Sequence, residues 1–542
     1  MVRRTLEKIT GAVSGLTEAA FWLSLFALFS QILALVRDRM LSHHFGVSSD
    51  LDIYYAAFKI PDLLFVTVAS IVSISALVPL FAKKQTEGEK HLRDATDSIF
   101  TVFSVVIVLA CTLAWVLMPF LVKSSFVGFS PVLQERTIFL SRVLLLSPLL
   151  LGFSNFFGAI VQYEKRFILY SISPLLYNFG IIFGLYFGLE RFGINSAVYG
   201  VVAGALAHLI LQAVYVLRSE KRPRFVARIK WSDVIETAYL SVPRTLALSV
   251  TTFIAFFFAS LASKLAEGSV AIFNLSFNLQ STPLSLIGVS LSLAAFPALS
   301  VSAAKKDFGE MIERGALGLR QIIFWSLPAT ALIIVLRAHM VRLVLGSGNF
   351  NWDATRLTAA VLALFIVSTV FQSLNLFFSR FHYALGKTRW PVIGNIVGGI
   401  LTLGLGFWFV KSFDIFAPTF QVLGRLLNIS HLPLSILSLP LAFSLGSMVT
   451  TAVLFFALGR QFIREIWQGT RRTILESGVG ALFAGLASYL ALSLSGPLFD
   501  LDTFLGVLGH GVVGGLSGVA VGALVLYLLG NQEIRFWQTK NE

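Results

Sequence analysis

Apolar runs of membrane-spanning length recur from one end of this 542-residue chain to the other. A helix needs about 20 predominantly apolar residues to cross the hydrocarbon core of a bilayer, which is roughly 30 Å thick. Charged residues make up only 13% of the sequence, whereas soluble domains carry about 25%. The sequence therefore predicts an all-α polytopic membrane protein.

We predict about fourteen membrane-spanning helices, taking roughly 17 to 25 mostly apolar residues as one crossing. The second and eighth runs are too long for one straight crossing, and they contain Pro61 and Pro283, respectively. Proline disrupts helix geometry, so we expect a kink or a break in both runs. The approximate limits of the runs are 17–38, 51–82, 98–122, 137–162, 168–189, 194–217, 236–263, 269–302, 319–336, 354–379, 390–410, 433–458, 473–494 and 504–530.

Lys and Arg residues fall mainly in every second loop between the predicted spans. If the N-terminus is cytoplasmic, the inner loops include the basic clusters at 83–93, 218–230 and 460–472, and the outer loops carry far fewer basic residues. Cytoplasmic loops of membrane proteins are enriched in Lys and Arg. The pattern predicts that both termini are cytoplasmic. It also explains the net charge of +14 as a topology signal rather than a nucleic-acid-binding surface.

An internal repeat links the two halves of the chain. Residues 70–80, at the end of the second run, share a pattern of small and apolar residues with residues 288–298, at the end of the eighth. Six spans separate the copies, so both have the same orientation. This predicts two parallel six-helix lobes around a central cavity, plus two accessory C-terminal helices. The predicted division is 1–217 and 236–458 for the lobes, 218–235 for a basic cytoplasmic linker, 473–530 for the accessory helices and 531–542 for a cytoplasmic tail.

Ionisable residues interrupt the first two apolar runs at Arg37, Asp38, Asp52, Lys59 and Asp62. A charge in hydrocarbon costs about 2.5 to 3.5 kcal/mol on insertion scales, and such residues usually face an internal water-filled path. Arg37 and Lys59 are the best candidates to bind an anion such as a pyrophosphate, since arginine offers a planar fork and lysine a point charge. The alternative is that Arg37 and Asp38 simply pair at the membrane boundary.

The sequence contains no pattern typical of a catalytic or metal site. Cys111 is the only cysteine, which excludes a disulfide or a thiolate metal site within one chain. We therefore predict no enzyme activity, no cofactor and no bound metal. Acidic residues are scarce in the later spans, so a carboxylate-rich cation site in the second lobe has no support.

A series of different short motifs is distributed along most of the chain. They include Val36-Arg37-Asp38, Phe45-Gly46, Asp52, Ala57-Phe58-Lys59-Ile60-Pro61, Gly158-Ala159-Ile160, Arg166-Phe167, Gly348-Asn349-Phe350 and Tyr383-Ala384. In this order and spacing they resemble the MurJ/MviN lipid II flippase family of the multidrug/oligosaccharidyl-lipid/polysaccharide exporter superfamily. The resemblance implies two six-helix lobes and two extra helices that form a groove for a lipid tail. It also implies a bacterial cytoplasmic membrane location, a lipid-linked saccharide substrate and cell-wall synthesis enzymes as partners.

The chain departs from this family at three positions. Gln31, Phe65 and Asn278 stand where the family places cavity arginines, and Arg37 remains. Either Lys59 and polar side chains compensate, or the chain moves something other than lipid II. The candidate substrate-binding residues are Arg37, Lys59, Asp38, Asp52, Gln31, Asn274, Asn278 and Gln280.

The expected function is a flippase that moves a polyprenyl-pyrophosphate-linked saccharide from the cytoplasmic to the outer leaflet by alternating access. One alternative is a cation-coupled exporter of amphipathic small molecules, which requires an essential membrane carboxylate such as Asp38 or Asp52. Another is a non-transporting scaffold for envelope assembly. The segment 413–432 is open to two interpretations, a re-entrant segment or an external amphipathic helix.

Overall fold

The computed structural model describes residues 16–534, and every regular element in that range is helical. The all-α prediction is confirmed. The helices are α1 Leu16–Phe45, α2 Ser49–Thr67, α3 Ile74–Glu87, α4 Glu89–Ser125, α5 Pro131–Leu144, α6 Leu146–Tyr163, α7 Phe167–Phe192, α8 Asn195–Val216, α9 Trp231–Ala262, α10 Ser269–Pro283, α11 Ser290–Ala304, α12 Phe308–Leu345, α13 Trp352–Ala384, α14 Arg389–Lys411, α15 Phe413–Leu426, α16 Ser438–Phe456, α17 Arg460–Ser495 and α18 Phe504–Leu528.

Twelve helical segments within the described range are long and apolar enough to cross a membrane, so the protein is a multi-pass membrane protein. They coincide with twelve of the fourteen predicted spans. The other two predicted spans, 51–82 and 236–263, are helical as well: the first forms α2 and α3 with a break between them, and the second is α9. The total of fourteen crossings stays a prediction.

The two longest predicted spans are both interrupted. In the second, the helix continues through Pro61 to Thr67, and a 3₁₀ turn at Ala69–Val72 precedes α3. In the eighth, Pro283 is followed directly by a π-helical turn at Leu284–Val289. Proline lacks an amide N–H and its ring clashes with the preceding turn, which explains the wider turn after Pro283. The irregular turn of the second span thus lies beyond its proline.

The two irregular turns occupy related places in the internal repeat. Aligned by the repeat, Ala69–Val72 corresponds to residues 287–290, which overlap the π-helical turn Leu284–Val289. Both turns therefore come at the start of the repeated segment. The two copies thus share the position of an irregular turn, although one turn is 3₁₀ and the other is π-helical.

The chain divides into two compact units, Met1–Gly268 and Ser269–Glu542. Each has its own hydrophobic core, centred on phenylalanines such as Phe156 in the first and Phe377 in the second. Helix α9 packs on α2 and α4 and so belongs to the first unit by its contacts. The internal repeat instead places α9 in the second lobe, because it groups helices by sequence similarity and not by contacts. The predicted lobe limits stay predictions.

Helices α7 and α8 approach each other closely through glycines. A Cβ atom on Gly200 would lie 2.5 Å from the carbonyl oxygen of Gly180, and one on Gly204 would lie 2.6 Å from that of Tyr177. Glycines spaced four residues apart let helix backbones come this near. The contact fixes the position of α7, which carries part of the site described below.

The segment that follows α14 folds as a helix, α15, whose faces differ in character. Phe416 and Phe420 pack against the end of α14, where the Phe416 ring lies 4.9 Å from that of Trp408. The polar residues Asp414, Gln421 and Arg425 are exposed on another side. An amphipathic helix, one of the two interpretations of 413–432, is therefore what forms here.

Candidate functional site

A hydrogen-bonded network surrounds Arg37 in the first unit. Its Nε and Nη2 atoms donate to Asp38 Oδ1 at 2.9 and 2.8 Å, and its Nη1 donates to Asn178 Oδ1 at 3.2 Å. The Nδ2 atom of Asn178 donates in turn to Ser30 Oγ at 3.2 Å. The Arg37 side chain is 19% exposed and that of Asp38 is 5% exposed. Charges this far from solvent are tolerable only with such partners.

Two helices position this network. Ser30, Arg37 and Asp38 lie on α1, and Asn178 lies on α7, which packs along α1. Ser30 and Arg37 are seven residues apart, close to two turns, so they share one face of α1. Gln31, which is half-buried, is likewise seven residues from Asp38. The predicted polar residues of α1 therefore lie on adjacent faces of one helix.

A second charged pair lies on α2. Lys59 is 9% exposed, and the exposed Asp62 lies one turn further along the helix, where the two charges attract each other. Residues three apart on a helix are neighbours. The cation predicted from the sequence thus lies near a carboxylate that the predicted site did not include.

Two tyrosines connect the charged pairs. Tyr54 on α2 is close enough to interact electrostatically with both Arg37 and Asp62. Tyr177 on α7 interacts with the same two charges. The structure therefore brings Arg37 and Lys59, which are 22 residues apart in the sequence, into one cluster. We call the Arg37–Asp38 and Lys59–Asp62 pairs with these tyrosines the paired-charge cluster.

Asp52 has a different role at the start of α2. Its Oδ2 atom accepts a hydrogen bond from the backbone N–H of Gly268 at 2.7 Å. Nearby, Ser49 donates to Glu267 Oε1 from its hydroxyl at 2.6 Å and from its backbone N–H at 2.9 Å. These hydrogen bonds lower the pKa of Glu267 below its ordinary value. Asp52 thus ties the beginning of α2 to the loop that precedes α10, about 10 Å along the helix from Lys59.

The polar residues of α10 lie in the second unit. Gln280 is 1% exposed, and its Oε1 accepts hydrogen bonds from Thr369 Oγ1 and Gln372 Nε2, both at 3.1 Å. Asn274 Nδ2 donates to the carbonyl of Val270 in its own helix at 2.7 Å. Gln280 therefore satisfies a buried contact between α10 and α13. The substrate roles predicted for Gln280, Asn274 and the half-buried Asn278 stay predictions.

Phe65 is one of the three positions at which the resemblance implied an arginine, and its surroundings are apolar. Phe65 packs against the hydrophobic core of the first unit, together with Leu64 and Val68. A cation at this position would have to leave that core. Phe65 therefore contributes packing rather than charge, and Arg37 and Lys59 are the cations of the paired-charge cluster.

Comparisons with known proteins agree on one family. Residues 41–508 match the family model described as "Lipid II flippase MurJ". The "Probable lipid II flippase MurJ" of Borreliella burgdorferi is 26% identical over 395 residues, which cover 71% of this chain and 76% of that protein.

Solved structures show the same fold. "Lipid II flippase MurJ, inward closed conformation" matches with a TM-score of 0.74 at 20% identity, covering 94% of this chain and 99% of that one. An inward-facing multidrug resistance transporter of the MATE family matches with a TM-score of 0.65 at 16% identity, covering 83% of this chain and 99% of that one. At these identities the structural matches are informative about fold alone.

Proposed function

Because this chain belongs to the MurJ family of lipid II flippases, we propose that it moves a polyprenyl-pyrophosphate-linked saccharide across the membrane by alternating access. The direction is from the cytoplasmic to the outer leaflet of the bacterial cytoplasmic membrane, with both chain termini cytoplasmic. The observation that carries the proposal is the paired-charge cluster, in which two cations are held within membrane-spanning sequence by exchangeable carboxylate partners.

The chemistry of the cluster suits a pyrophosphate headgroup. Arg37 directs two N–H groups at a single oxygen of Asp38, and the same fork can bind a phosphate oxygen pair. In the substrate-bound state the pyrophosphate takes the place of Asp38 as the partner of Arg37. When no substrate is bound, Asp38 pairs with Arg37 and compensates the charge of the guanidinium, since an unpaired buried charge is strongly unfavourable.

Lys59 supplies the second positive charge. Its ammonium is buried, while its partner Asp62 is exposed. Lys59 can exchange the neighbouring Asp62 for a substrate phosphate. The two cations together match the two phosphates of the proposed headgroup.

The irregular turns support a mechanism in which helices bend. The 3₁₀ turn Ala69–Val72 and the π-helical turn Leu284–Val289 interrupt one long run in each unit. In many transporters discontinuous helices form the substrate site, and access alternates as one helical bundle rocks against the other. The contacts of Asp52 with Gly268 and of Ser49 with Glu267 provide hydrogen bonds that can break and reform at the start of α2.

A cation-coupled exporter remains the second candidate because of one observation. Asp62 is an exposed carboxylate on a membrane helix, and such residues frequently mark ion pathways. In the flippase proposal Asp62 is the exchangeable partner of Lys59. In the exporter proposal Asp62, rather than the Asp38 or Asp52 expected from the sequence, is the essential ion-binding group, and substituting it abolishes transport. We also propose that cell-wall synthesis enzymes are partners of the flippase.

A reconstituted transport assay tests the proposal. Full-length protein is reconstituted into vesicles that carry fluorescent lipid II in the leaflet corresponding to the cytoplasmic side. The appearance of the label in the opposite leaflet is measured. Arg37→Ala and Lys59→Ala are each expected to lower the transport rate at least about tenfold, because each removes one charge-assisted hydrogen bond to the substrate. Arg191→Ala is the matched control, because Arg191 lies at the end of α7 against the ring of Phe192. Transport at the rate of the unmodified protein in both Arg37→Ala and Lys59→Ala would falsify the proposal.

A further inference from the structure

Another arginine, Arg142, lies within membrane-spanning sequence, away from the paired-charge cluster. Arg142 on α5 donates from Nε to the backbone carbonyl of Trp115 on α4 at 3.1 Å, and its guanidinium lies 4.3 Å from the centre of the Trp115 ring. Among residues 16–534, Trp115 is its only hydrogen-bond partner. The four N–H groups of Nη1 and Nη2 therefore have no protein acceptor in the described structure.

The Nε hydrogen bond has a clear structural cause. In a helix the carbonyl of Trp115 accepts from the N–H of the residue four positions later, and that residue is Pro119, which has none. An unsatisfied carbonyl within hydrocarbon costs several kcal/mol. Arg142 fills this gap with one of its five N–H groups. The unsatisfied carbonyl of Trp115 explains why a donor is present. It does not explain why that donor is charged or why Arg142 carries four further N–H groups.

The surroundings of Arg142 form an apolar groove on the first unit. Its volume is about 720 Å³, and Val108, Trp115, Phe139 and Leu146 on its walls are each close to half exposed. An exposed apolar surface on a membrane-spanning helix contacts lipid chains. Arg142 thus brings a positive charge to the edge of a surface that is otherwise suited to a hydrocarbon chain.

The depth of the groove places Arg142 within reach of headgroups. Uncharged sequence on α5 and α6 extends from Thr137 to Tyr163, apart from Arg142 itself. Arg142 lies eight residues from the midpoint of this stretch, or about 12 Å at the helical rise. The half-thickness of the hydrocarbon core is about 15 Å, and arginine extends its head toward the interface. The basic-residue pattern puts this end of α5 on the outer side.

We propose that Arg142 and Trp115 form a peripheral binding site for the phosphate group of an outer-leaflet membrane lipid, with one hydrocarbon chain of that lipid in the adjacent groove. The Nη1 and Nη2 groups of Arg142 bind the phosphate oxygens in the fork geometry that guanidinium favours. Stacking on Trp115 and the Nε hydrogen bond hold the fork in place. The site is separate from the transported headgroup, so it goes beyond the proposed function.

The test measures lipid binding by the purified full-length protein. Native mass spectrometry counts phosphatidylglycerol molecules retained after delipidation and titration with that lipid, and thermal unfolding measures the stabilisation that the lipid gives. Arg142→Gln is expected to lose one retained molecule and to weaken the stabilising interaction at least about tenfold in apparent Kd. Arg191→Gln, which removes a cation over the ring of Phe192, is the matched control and is expected to bind as the unmodified protein does.

Two further arms separate binding from folding. Pro119→Ala restores an N–H for the Trp115 carbonyl, so the double variant Pro119→Ala/Arg142→Gln removes the charge without leaving that carbonyl unsatisfied, and it is expected to fold and still to lose the lipid. Inorganic phosphate alone is expected to give no stabilisation. Equal phosphatidylglycerol retention by the double variant and by Pro119→Ala, or stabilisation by inorganic phosphate equal to that by lipid, overturns the proposal.

Discussion

Arg37 and Asp38 are adjacent in the sequence, and two nitrogen atoms of the arginine converge on one oxygen of the aspartate, at 2.9 and 2.8 Å. Adjacent residues on a helix point about 100° apart, so the contact requires both side chains to bend toward a common point. Asn178 on another helix fixes the third nitrogen. The pair is thus held by tertiary structure, and it is a local compensation of charge inside the bilayer.

The first prediction concerns this compensation. Arg37→Ala removes the two N–H donors that compensate the buried carboxylate of Asp38, and we expect a loss of about 3 to 5 kcal/mol in unfolding free energy. The double variant Arg37→Gln/Asp38→Asn removes both charges and should recover most of that loss while transport stays low. Chemical denaturation in detergent, followed by tryptophan fluorescence, measures the stabilities. A double variant as unstable as Arg37→Ala contradicts the prediction.

Asp62→Asn distinguishes the two transport mechanisms. In a flippase the substitution removes the carboxylate that competes with the substrate for Lys59, so lipid II should bind more tightly and transport should continue. In a cation-coupled exporter the same substitution removes the ion-binding group and transport stops. Binding of fluorescent lipid II and its transport in vesicles are measured on the same preparation, with Asp502→Asn in the exposed 500–503 turn as the control.

The hydrogen bonds between Ser49 and Glu267 predict a pH dependence of stability. Because they lower the pKa of Glu267, their contribution is fully present above the ordinary pKa of 4.5 and is lost as the pH falls through the lowered folded-state pKa. Ser49→Ala should therefore lower the unfolding temperature at neutral pH, and the difference from the unmodified protein should disappear on acidification. A difference that does not change with pH would exclude this origin.

The glycine contact between α7 and α8 predicts a steric effect that reaches the site. A Cβ atom on Gly180 would lie 2.4 Å from the Cα of Gly204, so Gly180→Ala must push the helices apart. We expect a destabilisation of about 1 to 3 kcal/mol, typical of overpacking, together with a lower transport rate because Asn178 moves away from Arg37. Gly404→Ala is the control, since a Cβ atom on Gly404 would have no neighbouring atom within 4 Å. Thermal unfolding and the vesicle assay measure the two effects.

Local sequence signals were sufficient for much of the fold. Apolar run length located the helices, because a segment in lipid must satisfy its backbone internally and does so as a helix. The same signals identified Arg37 and Lys59, since ionisable residues stand out in apolar sequence. The prolines in the two longest runs predicted a kink or a break in each, and both runs contain an irregular turn beyond the proline.

Contacts between distant residues could not be derived in this way. Asn178 is 141 positions from Arg37, and Gly268 is 216 positions from Asp52. Hydrophobic periodicity shows which face of a helix is apolar, but it does not identify the helix that packs there. The role of Gln280 in joining α10 to α13 was hidden for the same reason. Asp62 was recognised as part of the polar stretch but not as a site residue, although a carboxylate three residues after a lysine is a local signal.

The irregular turns of the second and eighth runs have a consequence for how side chains are oriented on either side of them. A 3₁₀ turn takes 3.0 residues per revolution and a π-helical turn takes more than the 3.6 of an α-helix. The first is overwound and the second underwound, so the angular phase of the side chains shifts in opposite senses across Ala69–Val72 and Leu284–Val289. A single helical wheel drawn through either run would assign the wrong azimuth to every residue beyond the irregular turn.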